Sequence, residues 1–319
     1  MSGTCLYLAT RGTDWSRVRQ VLAGARPAWV AAGILAAGAT LVIRAQRWMR
    51  LLRPVGDVPL RAALSATAIG FASGVVLPFR LGELVRPVLL GRRTGIGLAP
   101  ALSSVAVERL LDVLFVVLCF LVLSMVYPLP AAVRTGAYGL ALVATGGLVA
   151  LVVAERRRRT TERCLQAILR LIPDRLATSL RGAADGLLDG GKALADPRAF
   201  GIVCGFSVSL WAVTALVYVC AIRALDLAVP PIPAALASVV IVAAFVFLPQ
   251  APGLVGTWQA GCVVALGLFG VPQEAAVGYS FLTWLMAMCV QVGLGGFFLA
   301  REEVSLRDLV SGRENPPRR

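Results

Sequence analysis

Five stretches of this chain are apolar over the length a helix needs to cross a bilayer, or close to it, and two further apolar runs are broken partway by proline and glycine. A hydrocarbon core of about 30 Å needs about 20 apolar helical residues. Within that core every backbone N–H and C=O must find its partner inside the protein, which helices do by themselves. The chain is therefore read as an all-α integral membrane protein, a polytopic helix bundle. Composition agrees, since 58% of the 319 residues are hydrophobic and only 15% charged, beyond the apolar content of soluble domains.

The unbroken stretches run from Pro27 to Ile43, Leu98 to Val126, Gly136 to Ala154, Phe200 to Ile222 and Ala276 to Ala300. Trp29 and Trp48 bracket the first, about 28 Å apart at helical rise, the spacing expected of two interfacial anchors. The broken runs occupy residues 61–91 and 234–269. In the first, "PFRLGE" interrupts the helix with Pro78 and Gly82; in the second, "PQAPG" does so with Pro249, Pro252 and Gly253. Proline removes a backbone donor and glycine permits tight turns, so each run reads as helix, break, helix.

The net charge of +14 would suit nucleic acid, but most of the arginines lie between apolar runs, where cytoplasmic loops collect them for topological reasons. No nucleic-acid partner is expected. Arg44, Arg47, Arg50, Arg53 and Arg61 follow the first stretch, Arg92 and Arg93 the first broken run, and "ERRRRTTER" the third stretch; Arg301, Arg307, Arg313, Arg318 and Arg319 end the chain. All four groups fit on the cytoplasmic side only if each broken run enters and leaves on one side. That predicts two inverted re-entrant helical hairpins, the first open to the cytoplasm and the second to the outside. Paired, Gly/Pro-interrupted segments in two halves point to a transport site near the midplane.

The organisation expected is a single membrane domain in the cell membrane. Residues 1–26 form an N-terminal interfacial segment, 27–154 the first half, 155–199 an amphipathic cytoplasmic loop, 200–300 the second half and 301–319 a cytoplasmic tail. Arg11, Arg17, Arg19 and Arg26 oppose the charge rule, which suggests that residues 1–10 are the end of a further helix. The spacing of "GFASG" and of "GIVCG" predicts close helix contacts at both places.

Charges within apolar runs cost about 3 kcal/mol each on insertion, and so they usually face a bundle interior or a water cavity and mark function. Arg80, Glu83 and Arg86 surround the first break, and Glu108, Arg109 and Asp112 lie inside the second stretch. Glu108 and Asp112 share a helix face, and Arg109 is three residues from Asp112, within pairing reach. Such a set can simply lock helices together; an arginine within it can also hold a phosphate bidentately. The second break offers Gln250, Thr257, Trp258 and Gln259, polar but uncharged. The seven cysteines are scattered without a CxxC pair and there is no histidine, so nothing supports a metal, a cofactor or a disulfide framework, and acid–base catalysis would rest on carboxylates.

The order "RWMRLLRPVG", "LPFRLGELVRPVLLGRRTG", "ALSSVAVERLLDVL" and "LPQAPGLVGTWQAG" resembles the flippase-like transmembrane domain of lysylphosphatidylglycerol synthases, the multiple peptide resistance factors, and their free-standing relatives. The resemblance runs from about Trp15 to Ala300. It implies a lipid translocator with re-entrant segments that takes a phospholipid or other lipid-linked headgroup across the bilayer. It also implies roles in substrate binding or translocation for Arg80, Glu83, Arg86, Glu108, Arg109 and Asp112, and for Gln259, where relatives commonly carry glutamate. The family's synthases add a soluble aminoacyl-transferase domain, for which residues 301–319 are too few. Two other readings remain: a membrane-embedded transferase or hydrolase acting on a lipid-linked substrate through Glu83, Glu108 and Asp112, and a non-transporting scaffold, against which the intramembrane charges speak.

Overall fold

The computed structural model describes residues 2–77, 81–127, 196–246 and 251–302, with scattered positions between 135 and 163. Two short helices open the chain, α1 (Ser2–Thr10) and α2 (Trp15–Ala23). They are followed by α3 (Pro27–Leu52), α4 (Leu60–Val76), α5 (Leu81–Thr94) and α6 (Leu98–Val126). The second half comprises α7 (Pro197–Ala224), α8 (Pro231–Val246), a 3-10 turn (Pro252–Leu254), α9 (Thr257–Gly267) and α10 (Gln273–Glu302). Among the described residues there is no strand. The predicted stretch from Gly136 to Ala154 and the amphipathic loop fall largely outside them, as do Pro78, Arg80, Pro249 and Gln250.

By length and composition α3, α7 and α10 are able to cross a membrane, and the protein is a multi-pass helical membrane protein. Helix α6 has 29 residues. Helices α4 and α8 have 17 and 16, about 25 Å at helical rise, short of the hydrocarbon thickness.

The pair α4–α5 folds back on itself. Gly82 lies so close to Gly74 and Gly70 that an added Cβ would sit 2.2 Å from the Gly74 nitrogen, Arg86 reaches Thr67, and Arg93 donates to Ser65. That sequence of contacts is antiparallel. The pair α8–α9 does the same: a Cβ on Gly261 would be 2.9 Å from Val242 Cα, and Ala237 clusters with Ala265.

The two pairs open toward opposite ends. Helices α3 and α7 are antiparallel, since Arg26 at the start of α3 meets Asp226 beyond the end of α7 at 2.8 Å, while Arg50 and Arg53 at the other end adjoin Asp196 and Arg198. The α4–α5 pair begins and ends beside the end of α3, where a Cβ on Gly56 would meet Ile96 at 3.3 Å. The α8–α9 pair begins beyond the end of α7. Their tips meet in the middle, where a Cβ on Gly253 would lie 3.8 Å from Val75 Cγ1.

Three expectations need correcting. Helix α3 continues nine residues past Ile43 to Leu52, because Arg44 and Arg47 find carboxylate partners inside the protein. Trp48 is fully buried and donates its indole N–H to Ser104 Oγ at 2.8 Å, so it is a packing residue and no interfacial anchor. Finally, "GFASG" is a close helix contact, as Gly70 has Arg86 Cγ 2.1 Å from where its Cβ would be, whereas Gly201 and Gly205 of "GIVCG" face open space.

The N-terminal helices pack on the second half. Ser2 Oγ accepts the Ala251 N–H at 2.7 Å, and Gly256 passes directly beneath the Ser2 carbonyl. Gln273 Nε2 donates to the Ala9 and Arg11 carbonyls at 3.2 and 3.0 Å, tying the end of α1 to the start of α10.

Candidate functional site

The charged residues of three helices converge on one point. Helix α6 presents Glu108 and Asp112 one turn apart, and α3 supplies Arg44 and Arg47, three apart and on adjoining faces. Arg47 is fully buried; its Nη2 bonds Glu108 Oε1 at 3.0 Å and Asp112 Oδ1 at 2.8 Å, and its Nη1 donates to Ser207 Oγ of α7 at 3.1 Å. Arg86 of α5 reaches Glu108 Oε2 at 3.3 Å and donates to Thr67 Oγ1 at 3.4 Å. Arg44 approaches Asp112 Oδ2 at 3.3 Å and Glu108 Oε1 at 3.6 Å. Arg109 pairs with Asp112 Oδ2, also at 3.3 Å. Every carboxylate oxygen of Glu108 and Asp112 thus faces at least one guanidinium.

Aromatic rings fix the cations further. The Arg86 guanidinium carbon lies 4.5 Å from the Trp48 ring centre and 5.6 Å from that of Phe71, which also has Arg44 at 5.4 Å. Cation–π attraction strengthens where water is excluded. Buried ions need partners of this kind, because an unpaired charge in a low-dielectric interior costs several kcal/mol.

A cavity of about 520 Å³ adjoins this cluster and runs to the second break. Arg44, Arg86, Arg109 and Asp112 border its charged end, and Gly74 and Val75 come from the first tip. From the second tip come Ala251, Gly253 and Leu254, with Trp258 beside them. Arg44 and Arg109 keep 16% and 29% of their side chains exposed, while Arg47 and Glu108 keep none. The cluster therefore has an inner layer that holds and an outer layer that faces the space.

The second break is built differently. Gly253 and Gly256 take φ of 71° and 91°, the left-handed region open to glycine, and the Gly253 carbonyl accepts the Trp284 indole N–H at 2.7 Å. Gln259 is buried and its Oε1 accepts the Gly256 N–H at 2.7 Å, capping α9. It does not border the cavity.

Of the candidates read from the sequence, Arg86, Glu108, Arg109 and Asp112 come together. Arg80 lies outside the described residues, as does the side chain of Glu83, whose backbone belongs to α5. Sequence reasoning assigned Arg44 and Arg47 to topology and so missed them, along with Trp48, Phe71 and Ser207. A signal for the two arginines exists in their i, i+3 spacing directly after an apolar run.

Residues 2–295 match the family described as the Lysylphosphatidylglycerol synthase TM region. The chain belongs to that family. A curated relative, "Glycosyltransferase AglD" of Haloferax volcanii, is 28% identical over 304 residues, an alignment covering 85% of this chain and 48% of that protein. The chain spans about half the length of this relative. Membership in the Lysylphosphatidylglycerol synthase TM region family covers all the helices that build the charged cluster, from α3 to α7.

Proposed function

We propose that this protein moves a phosphate-bearing lipid headgroup between membrane leaflets, with the cavity between the two tips as its site. The observation that carries this reading is the charge count at the cavity. Arg44, Arg47, Arg86 and Arg109 face Glu108 and Asp112, a surplus of two positive charges among the described side chains. A phosphate neutralises such a surplus, and guanidinium is suited to hold it bidentately. The inner pair Arg47 and Glu108 positions the cluster; Arg44 and Arg109, which keep some exposure, meet the anion. The folded-back pairs then act as inverted re-entrant hairpins whose broken tips line the route, with apolar tails left in lipid.

Reconstituted in liposomes with labelled phospholipids, the protein transfers headgroups between leaflets without altering them. Arg44→Gln and Arg109→Ala slow that transfer strongly. Full-speed transfer in both variants would remove the proposed site. For the hairpins, cysteines introduced near Arg92 and near Gln273 label from opposite sides of the membrane; labelling from one side would discard the inverted arrangement.

The name of the relative, a glycosyltransferase, favours a second reading, a membrane-embedded transferase or hydrolase acting on a lipid-linked substrate. Its signature is chemically changed lipid in the same assay. The full engagement of the Glu108 and Asp112 oxygens by arginines suits a positioning role better than proton transfer, which requires an accessible acid or base.

A further inference from the structure

A second cluster of arginines lies outside the cavity, at the end where α3 finishes and α7 begins. Arg50, Arg53 and Arg198 border a surface pocket of about 410 Å³ together with Asp196. All three arginines are exposed, and none makes an ion pair among the described residues. Asp196 is already committed: its two carboxylate oxygens accept the backbone N–H groups of Arg198 and Ala199 at 3.1 and 3.3 Å, capping α7. Among the described residues the pocket therefore has three cations against one engaged carboxylate. Its deep side is apolar, with Ala199 and then Ile202, which is 46% exposed on a helix apolar enough to cross the membrane.

We propose that this pocket is a second lipid site, which holds the phosphate of an anionic phospholipid in the adjoining leaflet while an acyl chain runs down along Ile202. The geometry matches an amphipathic ligand: cations at the helix ends, where headgroups lie, and exposed hydrocarbon about one turn deeper. A soluble anion would gain nothing from Ile202. The site is separate from the cavity, because fully buried Arg47 and Ser207 close the α3–α7 seam between them. It stands whether or not the cavity transports lipid, since no residue is shared.

The test uses the full chain reconstituted in phosphatidylcholine vesicles containing spin-labelled phosphatidylglycerol or spin-labelled phosphatidylcholine. The expected result is about a tenfold preference of the protein-restricted lipid population for phosphatidylglycerol, falling toward unity in the triple variant Arg50→Gln, Arg53→Gln, Arg198→Gln. Raising the salt concentration weakens the same preference in the unaltered chain, a readout independent of how the variant inserts. Equal restriction of the two lipids by the unaltered chain overturns the proposal, and so does an unchanged preference in a correctly inserted triple variant. Complete displacement of labelled phosphatidylglycerol by millimolar inorganic phosphate also overturns it, because the ligand is then a free anion.

Discussion

The two folded-back helix pairs are anchored by opposite chemistry. Each begins with an apolar helix of 17 or 16 residues, both runs are interrupted by proline and glycine, and their tips meet at Val75 and Gly253. The first is tied down by ions, through Arg86, the α6 carboxylates and the arginines of α3. The second is tied down by neutral hydrogen bonds, from Trp284 to Gly253, from Gly256 to Gln259 and between Ser238 and Tyr279. Only the ionic version leaves a charge surplus for a ligand. The first half thus borders the cavity with charge and the second with mostly apolar side chains.

Glu108→Ala tests that contrast most severely. It strips partners from the buried Arg47 and Arg86, and a loss of about 3–5 kcal/mol is expected for a broken buried ion network. Tyr279→Phe in the second half removes one neutral bond to Ser238 and should cost only about 1 kcal/mol. Reversible unfolding in mixed micelles measures both; equal losses would erase the distinction between the halves.

Arg44→Gln separates recognition from stability. Arg47 still satisfies both carboxylates, so the fold should persist while lipid transfer falls about 10- to 100-fold, the scale of one lost charged hydrogen bond. Transfer rates in liposomes, compared with the unfolding midpoint of the same variant, decide it.

Glycine substitutions probe packing next. Gly82→Ala drives a Cβ against the backbone of Gly74 and Gly70 and should cost about 1–3 kcal/mol. Gly201→Ala, which meets open space, should stay within about 0.5 kcal/mol. The same unfolding assay ranks the two, and a reversed order would contradict the tight α4–α5 contact.

A modest effect is expected at the second break. Gln259→Ala removes the acceptor for the Gly256 N–H and should cost about 1 kcal/mol, as lost helix caps do. Gln259→Glu keeps an acceptor at that position and should restore most of it. Transfer is expected to change less in both than in Arg44→Gln, because Gln259 does not border the cavity.

Much of this was legible from the amino acids. Glu108, Arg109 and Asp112 stood out because a charge in the middle of an apolar run has no cheap explanation. Arg44 and Arg47 stood at the edge of such a run, where the positive-inside rule already accounts for arginine, so their i, i+3 spacing did not by itself mark them as buried. Trp48 was misread for the same reason: nineteen residues after Trp29 it has the spacing of an anchor, and only the packing of α3 against α6 places its indole on Ser104. Gly201 and Gly205 carry the small-residue spacing of a contact that α7 does not make.

What the amino acids determined by themselves is the helical membrane class, the two broken runs and the presence of charge within the bilayer. These follow from hydrophobic length and from the cost of unsatisfied polar groups, both local properties of a segment. Which arginines enter the cluster, that the tips meet, and that one cavity borders both the charged cluster and the second break were decided only by the tertiary structure. Ion pairing and cavity shape depend on partners distant in the chain, and Arg47 and Asp112, 65 residues apart, become neighbours only once α3 and α6 have packed.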